Sequence, residues 1–103
     1  MFKKETMLNA FNQWHSYNEA ALDNLRKASP EHMDVTQITL MQVISNVRYL
    51  ACMAGEVEEF DKKCAEFKPA GESMKDVQDF AISVCEWAIT ENTRLINKFE
   101  QDE

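Results

Sequence analysis

Residues that break regular structure cluster at only two places in this chain, Ser29-Pro30 and the run Lys68-Pro69-Ala70-Gly71. Between these breaks apolar residues recur every three or four positions, which is the period of an amphipathic α-helix. No segment shows the apolar-polar alternation of a β-strand. The sequence therefore predicts an all-α protein, a helical bundle of three long helices.

The start signals of the predicted helices follow the breaks. The first helix covers roughly residues 3–28, the second begins near Val35, and the third begins near Ser73, whose hydroxyl can cap first-turn amides. The run 89–93 could bend the third helix into a short fourth one. Because a short turn joins the second helix to the third, we expect these two to form an antiparallel pair.

Gly55 lies inside the second predicted helix, because the apolar stripe passes it without a change of phase. Glycine in a helix interior costs about 1 kcal/mol relative to alanine. We therefore expect another backbone to approach the helix closely at this residue. Asn18 interrupts the stripe of the first helix, and we expect it to pair with a partner helix and fix its register.

Size and charge limit the partners. With 103 residues, the chain is predicted to be a single domain spanning residues 1–103. The formal charge of −7 argues against binding to duplex nucleic acid or an anionic membrane, since both require a basic surface. A monomer of this size buries only about 60–70% of its unfolded surface. Together with the broad apolar stripes, this predicts a homodimer or a higher homo-oligomer.

The cysteines indicate the compartment. Cys52, Cys64 and Cys85 are odd in number and lie within apolar patterns, so we expect buried, reduced thiols. Reduced thiols are typical of a cytoplasmic protein. The longest apolar run, residues 49–54, is far too short to span a bilayer.

Two pairs of carboxylates stand three residues apart, on one helix face each. The four residues are Glu56, Glu59, Asp76 and Asp79. In the expected antiparallel pair of helices the two carboxylate pairs would lie nearly opposite each other. Four carboxylates from facing helices form an oxygen-rich site that suits Mg²⁺ or Mn²⁺. The sequence therefore predicts either a divalent-metal site at these four residues or a solvated acidic face beside a helix N-terminus that favours negative charge.

The run Ala54-Gly55-Glu56-Val57-Glu58-Glu59, followed by Lys75-Asp76-Val77, resembles the MazG-like nucleotide pyrophosphohydrolases. This resemblance implies an all-α fold in which paired acids hold Mg²⁺ ions that activate water against a nucleoside triphosphate. Aligned on these runs, the family's other two glutamates fall on Met53 and Ser73. An active pyrophosphohydrolase and a catalytically degenerate nucleotide-binding relative both remain open. Arg48, Lys62 and Lys63 are candidates for phosphate contact.

A non-enzymatic function is the alternative. The apolar stripes and the net negative charge also fit an acidic helical interaction module, such as an adaptor or an inhibitor, that binds another protein. An amphipathic protein that coats an apolar surface is a weaker alternative, because few basic residues flank the stripes.

Overall fold

The computed structural model describes residues 3–101, and these form an all-α bundle, which confirms the predicted fold class. Its helices are α1 (Lys4–Lys27), α2 (Met33–Met53), α3 (Val57–Ala65) and α4 (Met74–Gln101).

The predicted starts of the first and last helices are confirmed. α1 has nearly the expected bounds, and at the start of α4 the backbone N–H of Asp76 donates to Ser73 Oγ at 3.1 Å. α4 runs through residues 89–93 without a break. Thr90 and Thr93 are accommodated there because each hydroxyl donates to the carbonyl four residues earlier. The predicted bend at residues 89–93, which would have made a separate short helix of the end of α4, is therefore not present.

The second predicted helix is in fact two helices, and Gly55 separates them. Its φ of +74° is left-handed, a conformation that glycine adopts without a steric cost. The N–H groups of Gly55 and Glu56 donate to the carbonyls of Cys52 and Ala51, which is the Schellman arrangement that ends a helix. A Cβ on Gly55 would meet no atom within 4 Å, so the expected close backbone approach is wrong. The glycine is needed for its dihedral angles.

This break changes the directions of the helices. Lys4 Nζ donates to the carbonyl of Glu100, and Gln78 Nε2 donates to that of Leu25, so α1 and α4 are antiparallel. Leu40 and Ile44 line a cavity with the first half of α4, whereas Ala51 lines one with its second half. α2 and α4 therefore run in the same direction.

The short α3 runs back between α2 and α4. Phe60 of α3 stacks on Trp87 of α4 with ring centroids 4.9 Å apart, and Phe67 contacts the same indole. The predicted antiparallel arrangement thus holds for α3 with α4, but not for the whole segment from Val35 onward. The bundle alternates in direction along the chain, with α3 as its short member.

The core lies between α1, α2 and α4. Its largest fully buried apolar side chains are Leu25, Val43, Val47, Leu50, Val84, Cys85 and Leu95. Asn18 is buried in this core and accepts a hydrogen bond from Asn46 Nδ2 of α2 at 3.0 Å, so the predicted pairing of Asn18 with a partner helix is confirmed. Within residues 3–101 no helix is both long and apolar enough to cross a membrane.

Candidate functional site

The structure places the four predicted metal-binding acids in two separate clefts. Glu56 and Glu59 line a cleft of about 370 Å³, whereas Asp76 and Asp79 line one of about 330 Å³ at the start of α4. Glu56 is paired with Arg94, which lies 18 residues beyond Asp76 on α4. At the helical rise of 1.5 Å this is about 27 Å. The two carboxylate pairs are not brought together, because the chain turns at Gly55 instead of continuing as one helix.

Glu56 is held by two basic side chains of α4. Its carboxylate oxygens lie 2.7 Å from Arg94 Nη2 and 2.6 Å from Lys98 Nζ. Hydrogen bonds from Arg94 and then from Lys98 lower the pKa of Glu56 from 4.5 to about 2. A metal ion would have to displace both cations from this carboxylate. These two ion pairs hold the turn between α2 and α3 against the second half of α4.

Replacing Glu56 by glutamine is expected to lower the free energy of unfolding by about 1 kcal/mol at pH 7, as for a partly exposed ion-pair network. Because the folded-state pKa of Glu56 is lowered, its contribution is present above pH 4.5 and is lost as the pH falls towards 2. Urea unfolding across this pH range should show the native and variant curves converging.

Glu59→Gln is the matched control for this prediction. Glu59 lines the same cleft but forms no ion pair with any residue in the 3–101 range. The Glu59→Gln variant should therefore have a free energy of unfolding within about 0.5 kcal/mol of the native value. Equal losses for the two variants would contradict the structural role assigned to Glu56.

Asp76 and Asp79 have local roles at the beginning of α4. The Asp76 backbone N–H is capped by the Ser73 hydroxyl, and a Cβ on Gly71 would stand 2.5 Å from Asp76 Oδ2. Asp79 forms an ion pair with Lys75 at 3.0 Å. Nowhere between residues 3 and 101 do three or more His, Cys, Asp or Glu side chains group in a way that could hold a metal ion.

The three candidates for phosphate contact are also dispersed. Arg48 forms a bidentate pair with Asp61, with distances of 2.9 and 2.8 Å, and this pairing raises its pKa. Lys63 lines the Glu56 cleft, and Lys62 is exposed on α3. Arg48 is therefore already engaged by a carboxylate of the protein.

The cysteines differ from one another in exposure. All three are free. Cys85 is buried, and burial raises its pKa to about 11, which fits the expected inert core thiol. Cys52 is exposed on α2, so the expectation that it is buried is wrong.

The outward face of α2 carries almost no charge. Only Asp34 and Arg48 are charged among its 21 residues, whereas α3 carries five charges in nine. Along this face run six exposed residues spaced alternately by three and four, which we call the α2 seam. They are Val35, Ile38, Gln42, Ser45, Tyr49 and Cys52.

The exposed fractions show that this face is apolar and uncovered. Ile38 is 55% exposed, Tyr49 53%, and Met41, beside the seam, 68%. A row of exposed residues that is mostly apolar and carries no charge is typical of a surface that binds a protein, since solvated faces usually carry charges. A heptad-like 3-4 spacing with apolar residues is also the pattern of helices that pack against a further helix.

α1 extends this uncharged surface on one side of the seam. Trp14 contacts the ring of Tyr49 with centroids 5.7 Å apart, and the Tyr17 hydroxyl donates to Gln42 Oε1 at 2.7 Å. The α1 residues on the same side of the helix are all uncharged, namely Thr6, Ala10, Gln13, Ala20, Ala21 and Asn24. On the other side of the seam lies α3, whose Asp61 forms an ion pair with Arg48 of α2.

The sequence itself indicates that α2 has apolar residues beyond those that face the core. The second predicted helix has apolar residues on nearly every side, and such a helix is normally covered all round. Comparison with protein-family models, curated proteins and solved structures finds no match to this chain.

Proposed function

We propose that the protein is a non-enzymatic helical interaction module that self-associates as a homodimer through the α2 seam. One observation carries the proposal: a 21-residue helix has only two charged residues and exposes Ile38, Met41 and Tyr49 by more than half. Water contact with this much apolar side chain is unfavourable, at about 25 cal/mol per Å². Covering the face would remove that cost.

The distribution of charge supports a second copy as the occupant. Each chain carries a net charge of −7, so two copies repel each other over most of their surfaces. The α2 seam and the uncharged side of α1 next to it are where two copies can approach without placing acid against acid. Two helices about 30 Å long and 10 Å wide present about 600 Å² per chain. This is close to the roughly 800 Å² per partner of a standard interface.

The acids are better suited to a different role. Most of those on α3 and α4 are exposed, so they keep a dimer soluble and leave an acidic outer surface. An adaptor or inhibitor could present this surface to a basic partner. The uncharged face would then serve assembly, and the acidic one recognition.

The nucleotide pyrophosphohydrolase stays a prediction, and the site geometry gives it little support. Glu56 is occupied by Arg94 and Lys98, and Asp76 lies in another cleft. Calorimetric titration with Mg²⁺ or Mn²⁺, with and without a non-hydrolysable nucleoside triphosphate, tests it directly. Metal-dependent heat that disappears in Glu56→Gln would favour the enzyme over the interaction module.

The dimer is tested by Ile38→Glu, which places a charge among the apolar residues of the seam. Burying an unpaired carboxylate costs several kcal/mol, so the dimer dissociation constant should rise at least about 100-fold. Sedimentation equilibrium of the native chain should give the dimer mass at micromolar concentrations, and the variant should give the monomer mass.

Gln37→Glu is the matched control, since it adds the same charge to the same turn of α2 but away from the seam. It should remain dimeric, and circular dichroism should show native helix content for both variants. A native chain that is monomeric throughout the micromolar range would overturn the proposal. So would a dimer that Ile38→Glu leaves unchanged.

A further inference from the structure

We infer that the two copies meet with their α2 helices antiparallel, related by a two-fold axis that crosses the seam between Gln42 and Ser45. This arrangement rests on the proposed self-association and specifies its geometry. A two-fold interface is isologous, so each residue on one side of the axis must suit the residue at the same distance on the other side.

The α2 seam meets this requirement. Measured from the midpoint between Gln42 and Ser45, Ile38 and Tyr49 stand at equal distances, as do Val35 and Cys52. An antiparallel pair therefore places Ile38 against the partner's Tyr49 and Val35 against the partner's Cys52. Apolar residues meet at both ends of the seam, and the two polar residues meet in its middle.

The polar middle of the seam can be satisfied across the axis. Tyr17 donates its hydroxyl hydrogen to Gln42 Oε1, which leaves the amide NH₂ group of Gln42 as a donor. Ser45 is exposed, and its hydroxyl can accept from the Gln42 amide of the other copy. A small residue at this position also lets the two helices approach to the usual 8–10 Å. One polar pair in an apolar seam fixes the register.

The surroundings of the seam favour the antiparallel over the parallel direction. An antiparallel two-fold places the uncharged side of α1, with Trp14 and Tyr17, next to its own copy. A parallel two-fold would instead place that side against α3, where the Arg48–Asp61 pair would be desolvated beside aromatic rings. Antiparallel helices also oppose their dipoles favourably.

Cross-linking with a short bis-maleimide distinguishes the two directions. Val35→Cys adds a thiol opposite the partner's Cys52 in the antiparallel dimer. The two copies of Cys52 would stand 17 residues apart along the helices, about 25 Å, which is beyond the reach of the reagent. We expect Val35→Cys to form a covalent dimer linked between residues 35 and 52, identified by mass spectrometry. The native chain should form none.

The double variant Val35→Cys/Cys52→Ser should lose this covalent dimer, falling to the background of the native chain. If the double variant still cross-links through residue 35, the helices are parallel and the inference is overturned. If the native chain is a dimer by sedimentation but Val35→Cys gives no 35–52 link, this arrangement is again wrong while self-association stands. A native chain that is monomeric would overturn both this arrangement and the proposed self-association.

Discussion

Replacing Gln78 by methionine is expected to lower the free energy of unfolding by about 2 kcal/mol, because the Ala28 carbonyl loses this donor and the Leu25 carbonyl loses one of two. The Gln78 side chain is buried on α4, and its Nε2 donates to the carbonyls of Leu25 at 3.1 Å and Ala28 at 2.8 Å. The Leu25 carbonyl also accepts from the backbone N–H of Ala28 at 3.2 Å, so Gln78 adds a second donor to it and supplies one to the Ala28 carbonyl at the end of α1. Gln78 thus caps α1 from another helix, and urea unfolding measures its contribution.

Gln78→Glu extends this prediction with a variant of nearly the same shape. Its carboxylate would face two carbonyl oxygens at a negative helix end, so the loss at pH 7 should reach about 3 kcal/mol or more. The same contacts raise the pKa of the new carboxyl group in the folded state. The loss should therefore shrink as the pH falls through that pKa, since a protonated carboxyl can donate one bond again. A loss that does not vary with pH would contradict the capping role.

Asn18 should give effects of opposite sign with two substitutions. Its side chain is fully buried, and its Nδ2 finds no hydrogen-bond partner among residues 3–101, although its Oδ1 accepts from Asn46. Asn18→Leu removes this unsatisfied donor and should raise the free energy of unfolding by about 1 kcal/mol. Asn18→Asp places a carboxylate in the core and should lower it by about 3 kcal/mol.

Thermal unfolding followed by circular dichroism measures both Asn18 variants. For a domain of this size, 1 kcal/mol corresponds to about 4–8 °C in Tm. Asn46→Ala is the comparison, because it leaves the buried Asn18 Oδ1 without its donor and should therefore lower the free energy of unfolding. If Asn18→Leu were destabilising, the Asn18 amide would have to be satisfied by bound water, and its role would be more than register.

The helices could be predicted because their signals are local. Apolar residues at 3-4 spacing and a serine before α4 determine the bounds of α1 and the start of α4. The pairing of Asn18 also followed from its position on the α1 stripe. The end of α2 could not be recognised from spacing, because the apolar pattern of α3 continues in phase beyond Gly55. Only the dihedral angles of that glycine reveal the break.

The candidate site was harder to predict because it depends on how the helices are arranged. With one long second helix, Glu56 and Asp79 would have been neighbours. With the break at Gly55, Glu56 reaches Arg94 and Lys98 instead. Gln78 was missed for the same reason, since its partners are backbone carbonyls 50 or more residues away. To predict the exposed face of α2, one must know which of its apolar residues the core leaves uncovered.

The contact between the beginning of α1 and the end of α4 has a consequence for the order of folding during synthesis. Lys4 reaches the carbonyl of Glu100, and Phe11 packs edge-on against Phe99, so these partners of α1 are translated only after α2 and α3. Until then α1 and α2 can pair only with each other, and both keep apolar residues in contact with water. Contacts so distant in sequence also slow folding. A nascent chain that stops before residue 74 should therefore bind a chaperone that recognises apolar segments, and should release it once α4 has emerged.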